Sequence, residues 1–187
     1  MDTQTYLDLW GVRRLCNFMK KLLTTEYTGV AGVKYLFEYS ECDSFDHLPQ
    51  DEITQCYAAA FHGDNMVIVH NKKRDTWGFV GGTIEKGETL EETLRREIQE
   101  ESNMNVISCR PIGYQKVIDT RNIQAPFYQL RYFAIVEPYG PFVSDPDCTI
   151  DKIAEIDPMD CKEYFDWFEI GDAIIARALE FNKMSRI

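Results

Sequence analysis

Three glutamates, Glu97, Glu100 and Glu101, stand at positions i, i+3 and i+4 of one stretch. On a helix that spacing turns all three the same way. Like charges so placed repel and weaken the helix, and a hard divalent cation gripped between them is the physical reason to keep them. Mg²⁺ or Mn²⁺ takes oxygen ligands of this kind and retains waters beside substrate phosphates. Upstream, a spaced pattern leads into the trio: Gly82, five residues, Glu88, seven residues, then Arg96-Glu97-Ile98-Gln99-Glu100-Glu101. Between Gly81 and Met104, seven Glu against Lys86, Arg95 and Arg96 leave a net charge of −4. A bound divalent ion offsets that charge and makes the stretch attractive to phosphate.

These residues need a rigid carrier, and the local signals supply one. Thr89 is placed to cap a helix, with Glu92 three residues on completing a capping box. The helix is expected over residues 90–102, and Leu90, Leu94 and Ile98 form its buried stripe beside the carboxylate face. Residues 77–82 read as a strand that ends on the pair Gly81-Gly82, where a backbone can approach a ligand closely. Two earlier strands, residues 55–61 and 65–69, flank the turn His62-Gly63-Asp64. Further strands are expected over 33–39, 105–109, 112–118, 127–137 and 163–169, with a closing helix over 170–182. The segments 40–52 and 138–158 read as loops, the second with room for a short strand. Residues 7–23 read as an amphipathic helix with a basic face, which packs on the domain or, in a homodimer, on a second subunit rather than on a membrane surface.

The 187 residues suit one domain with a full core. Hydrophobic residues make up 44% and charged residues 27%, as in soluble globular chains. A net charge of −11 repels nucleic-acid phosphates, so no nucleic-acid partner is expected. No apolar run approaches about 18 residues, so no membrane span is expected. The N-terminal stretch has no continuous apolar run followed by a small-residue cleavage site, and a cytoplasmic location follows by default. The six cysteines lie scattered without a C-x-x-C pair and read as reduced thiols. The three histidines have no zinc spacing.

The run from Gly82 to Met104 resembles the Nudix box, G-x5-E-x7-R-E-U-x-E-E-x-G-U, where U is a bulky aliphatic residue. Gly82, Glu88, Arg96, Glu97, Glu100 and Glu101 match its fixed polar positions, and Ile98 and Met104 its aliphatic ones. Asn103 replaces the usual glycine, and asparagine is the next most tolerant residue of a left-handed helix end. Val80 stands where proline is common before the glycine pair. The resemblance covers about residues 53–183, leaving 1–52 as an N-terminal extension to a domain of residues 53–187.

This resemblance implies an α/β (α+β) fold, an α/β/α sandwich with a mixed sheet between helices. It implies hydrolysis of the pyrophosphate in a nucleoside diphosphate linked to another group, X, with Mg²⁺ or Mn²⁺ as cofactor. Glu97, Glu100, Glu101 and the Gly81 carbonyl become the expected ligands, Glu97 also the group that orients or deprotonates water in some relatives. Arg96 and Glu88 become their support. Relatives also use a late-loop acid, and Glu155, Glu163 and Asp166 are candidates here. Lys72, Lys73 and Arg74 could meet phosphates, and Trp77, Phe79, Tyr128 and Tyr132 could stack on a ring. The alternative is a Nudix-fold nucleotide-binding or sensor module without turnover, although such proteins usually lose box acids and none is lost here. Relatives that act on capped RNA or inositol pyrophosphates usually need a basic surface, which the overall charge disfavours.

Overall fold

The structure, a computed structural model, describes residues 22–29, 32–142 and 145–186. Ten elements follow one another: β1 (Leu23–Thr28), β2 (Lys34–Ser40), β3 (Ile53–His62), β4 (Asn65–Asn71), β5 (Thr76–Thr83), α1 (Leu90–Ser102), β6 (Met104–Asp119), β7 (Phe127–Pro138), β8 (Ile150–Ile156) and α2 (Phe168–Met184). The strands form one sheet in the order β1-β2-β6-β7-β3-β5-β4-β8. β3 and β7 run parallel and the other pairs antiparallel, so the sheet is mixed, as expected. Gly63, at φ 62°, turns the β3–β4 hairpin. β5 then inserts between the two strands. It pairs with β4 from Thr76 to Phe79 and with β3 from Val80 to Thr83. Beyond Phe79, the edge of β5 away from β3 has no strand beside it among the described residues.

Side chains alternate across a strand, and here both faces are covered. Ala58, Ala60, Val67, Val69 and Val80 share one core with Leu94 and Ile98 of α1. Ala59, Phe61, Met66, Ile68 and Phe79 share the other with Ile170, Ile174, Ala178 and Phe181 of α2. Helix, sheet, helix is therefore the layer order. Leu94 and Ile98 are fully buried, each contributing about 1.5–3 kcal/mol by leaving water.

Several expectations are corrected. The helix over 7–23 lies outside the described residues except for its end, where Leu22 is exposed and Leu23 opens β1. The segment 40–52 is not a free linker. Cys42, Phe45 and Leu48 enter the α1-side core, and Arg177 of α2 donates to Glu41 and Asp43, each at 2.6 Å. The two strands 105–109 and 112–118 are one, β6, with irregularities between Val106 and Ser108 and between Pro111 and Gly113. Such a bulge lets Pro111, which has no N–H, sit inside a strand.

No strand forms over 163–169. A 3-10 helix spans Pro158–Glu163, capped by the Asp157 carboxylate accepting from Met159 N, and Asp166 accepts from Phe168 N at 2.7 Å just before α2. The alternating aromatics Phe165 and Trp167 mimic a strand's period of two, but both set their edges against Phe79. The loop 138–158 does carry a strand, β8. The five described cysteines are free thiols. No described helix is long and apolar enough to cross a membrane.

Candidate active site

Helix α1 begins and ends as its sequence dictates. Thr89 accepts a hydrogen bond from Glu92 N, and the Glu92 carboxylate accepts from Thr89 N at 2.8 Å, closing the capping box. At the other end Asn103 adopts the left-handed conformation (φ 54°, ψ 39°) and its amide donates to Pro141 O at 2.9 Å. Asparagine thus does the work of the absent glycine and also ties down the loop after β7.

One guanidinium organises the acidic residues. Arg96 donates to both oxygens of Glu88, at 2.7 and 3.1 Å, through Nε and Nη2. Its Nη1 donates to Glu97 and to Glu100, both at 3.0 Å, and its Nη2 also reaches Thr83 O at 3.1 Å. Glu88 further accepts from Thr93 Oγ1 at 2.6 Å and Glu85 N at 3.1 Å. The Arg96 fork, with Thr93 behind it, holds the Glu88 carboxyl down at about 2.

Glu97 and Glu101 lean on the glycine pair. A Cβ at Gly82 would lie 2.6 Å from both Glu97 carboxylate oxygens. Gly81, at φ 140°, donates its N–H to Glu101 Oε2 at 2.8 Å, along the edge of β5 that lacks a neighbouring strand. Burial raises the Glu97 carboxyl above its ordinary range, against the pull of Arg96. Burial also pushes Glu101 up to about 8, against the Gly81 hydrogen bond, with Glu97, Asp145 and Glu100 adding repulsion. Burial is the first cause of both shifts: Arg96 is shared among Glu88, Glu97 and Glu100, while Glu101 accepts from Gly81 N. Among the described residues no three acid, histidine or cysteine side chains converge on a common point. Glu97 and Glu100 turn to Arg96, and Glu101 turns to Gly81. The donor set is all oxygen and anionic, the kind a hard divalent ion takes. Beside α1 lies a cleft of about 360 Å³ lined by Arg96, Gln99, Glu100, Asn103, Phe142 and Pro146, among others.

The remaining predicted residues lie elsewhere. Lys72 and Arg74 are exposed on the β4–β5 turn, at the opposite end of β5 from the glycine pair. Trp77 meets Tyr164 edge-on and His70 at a tilt, and Phe79 is buried against Phe165 and Trp167. Both rings belong to the α2 side of the sheet, not to the carboxylate side. Tyr132 is buried in the α1-side core and Tyr128 packs against that core. Of the late acids, Glu155 pairs with His62 at 2.9 Å, Asp166 caps Phe168, and Glu163 ends the 3-10 helix. The late acid whose charge acts on Glu101 is Asp145. It is buried, accepting from Thr149 Oγ1 at 2.6 Å and Ile150 N at 2.9 Å. Its D-x-x-x-T-I spacing carries a signal only for a loop cap, so nothing in the sequence singles it out.

A mixed sheet between two helices, with an acid-bearing capped helix set against a glycine pair, defines an α/β/α sandwich. The model of the NUDIX domain matches residues 52–183, and the chain belongs to that family. The NAD-capped RNA hydrolase NudC of Vibrio atlanticus (strain LGP32) is 31% identical over 78 residues, covering 40% of this chain and 29% of the relative. The chain thus matches less than a third of that relative's length. The Bacillus subtilis pyrophosphohydrolase BsRppH superposes with a TM-score of 0.58 at 20% identity, over 86% of this chain and 97% of that one. A NUDIX hydrolase from Nitrosomonas europaea gives 0.58 at 15% identity, over 70% and 90%. These likenesses establish the fold.

Proposed function

We propose that this chain is a metal-dependent hydrolase that cleaves the pyrophosphate of a nucleoside diphosphate linked to X, by attack of water at phosphorus. The observation that carries the reading is one arrangement: Glu97, Glu100 and Glu101 on α1 beside Gly81-Gly82, with the neighbouring cation, Arg96, committed to Glu88. In this reading Glu97, Glu100, Glu101 and the Gly81 carbonyl hold Mg²⁺ or Mn²⁺. Bound there, such an ion supplies charge neutralisation of the diphosphate and a lowered pKa for a coordinated water.

The chain's own residues do the rest. Glu88 keeps Arg96 in place, and Arg96 keeps Glu97 and Glu100 on the same edge of α1. Glu97, beside the glycine pair and with its carboxyl raised by burial, is the group that takes a proton from water in this reading. The water oxygen joins phosphorus, the bridging P–O bond breaks, and a proton passes to solvent through the carboxylates. In this reading residues 1–52 extend the domain of 53–187, with β1, β2 and the core residues of 40–52 built onto it, and the enzyme is cytoplasmic.

The test is a panel of nucleoside triphosphates, nucleotide sugars and dinucleotides, including a nicotinamide dinucleotide, each with Mg²⁺ in ¹⁸O-labelled water. Cleavage with label in one phosphate product is expected. A protein that binds members of the panel but turns over none would instead be a nucleotide sensor.

A further inference from the structure

Among the described residues, the largest fully buried side chain is an arginine without a carboxylate partner. Arg131, on β7, is 2% exposed. Its Nη1 donates to Leu130 O at 3.1 Å and its Nη2 to Gln129 Oε1 at 3.0 Å, while its Nε has no partner. Its guanidinium faces the rings of Tyr57 at 5.0 Å and Trp167 at 5.5 Å. A buried charge without a counter-ion is destabilising, and the orphaned Nε donor adds to that cost. Pure packing would favour an apolar residue here, so the arginine points to a ligand.

The sheet register places this arginine in a polar patch. Gln115, Gln129 and Gln55 are direct cross-strand partners on β6, β7 and β3, and the row continues to Thr83 on β5. The next row is Gly113, Arg131, Tyr57 and Gly81. It ends at the residue whose N–H holds Glu101, where β5 has an open edge. The patch lies on the α2 side of the sheet with Tyr57 and Trp167, opposite the carboxylate helix, and its row reaches the carboxylate side only through Gly81 on that open edge.

Its hydrogen-bond polarity is fixed by Arg131. A guanidinium only donates, so Gln129 must turn its oxygen to Arg131. Gln115 Nε2 then donates to the same oxygen at 3.2 Å, and Gln129 Nε2 donates to Gln55 Oε1 at 2.5 Å. Gln55 is left presenting its amino group. The groups still free are donors at Arg131 Nε, Gln129 and Gln55, against one acceptor at Gln115 Oε1. A donor-rich, mostly neutral patch suits a ring edged with carbonyl oxygens. Guanine and uracil have such edges, whereas the exocyclic amine of adenine would face donors.

We propose that Arg131 and the Gln55–Gln129–Gln115 row form the base-recognition subsite, and that it selects oxo-bases over adenine. This rests on the reading of the carboxylate site as one for nucleoside diphosphate derivatives. The test is calorimetric binding of GDP, UDP and ADP to the full chain in Mg²⁺. GDP and UDP are expected to bind at least tenfold more tightly than ADP, as a site built to hydrogen-bond one group discriminates against its analogue. Arg131→Met should bring the three within about twofold of one another. Gln55→Leu, at a partly exposed position, should do the same with an unchanged melting temperature, whatever the fate of the buried variant. Equal or tighter binding of ADP, a base preference that survives Gln55→Leu, or no binding of any of the three overturns the proposal. Base preference without hydrolysis of any substrate would leave this subsite standing and remove the hydrolase reading.

Discussion

Arg96 and Glu88, eight residues apart, meet through two hydrogen bonds of 2.7 and 3.1 Å, and that contact joins the loop after β5 to helix α1. Because the same guanidinium reaches Glu97 and Glu100, a change at Glu88 is felt at both acids. Glu88→Gln keeps the size but weakens the charge-assisted fork. Turnover is expected to fall about 10–100-fold, the usual cost of losing a residue that orients metal ligands. A titration of activity against Mg²⁺ checks it: the midpoint should move to higher concentration. Arg96→Lys should behave alike, since an ammonium cannot serve two carboxylates in the same fork.

Glu101→Gln removes the carboxyl from the edge of β5 but can still accept from Gly81 N. Activity in Mg²⁺ is expected to drop by about 100-fold or more on the scale of lost metal chemistry, with the fold intact by circular dichroism. Near wild-type turnover by this variant would sink the proposed role of the carboxylates.

The same residue sets a pH dependence of stability. Glu101 has a folded-state pKa of about 8, above its ordinary 4.5. The folded state therefore holds a proton that the unfolded chain has lost, between about pH 4.5 and 8. Without metal, the melting temperature should decline as pH rises through that window, and Glu101→Gln should flatten the decline. Glu88 acts in the opposite sense. Its pKa of about 2 lies below 4.5, so its contribution is present above pH 4.5 and is lost as pH falls toward 2. Thermal melts across pH 2 to 9 in a chelator separate the two.

The two glycines should fail differently. A Cβ at Gly81 would lie 2.2 Å from Cys56 O in a backbone conformation that side chains rarely adopt. Gly81→Ala is expected to cost about 1–3 kcal/mol from the backbone strain alone. At Gly82 the obstacle is the Glu97 carboxylate, the end of a flexible side chain. Gly82→Ala should leave the melting temperature within a few degrees while displacing Glu97 and lowering kcat. Denaturant unfolding beside steady-state kinetics distinguishes the pair.

Much of this molecule was written locally. The spacing of Glu88, Arg96, Glu97, Glu100 and Glu101, the Thr89–Glu92 capping box and the left-handed Asn103 all act within about one or two helical turns, so the sequence by itself determined α1, its bounds and its acidic edge. The hairpin at Gly63 and the two-faced strands β3 and β4 were legible for the same reason. Local pattern misled where aromatics alternate: Phe165 and Trp167 read as a strand, yet their partner is Phe79, more than eighty residues away. Only the tertiary structure decided which late acid acts on Glu101, that Trp77 and Phe79 face α2, and that Gln55, Gln115, Gln129 and Arg131 adjoin. Those last four sit on three strands whose register is set by burying two opposite faces at once, a condition that no single segment contains.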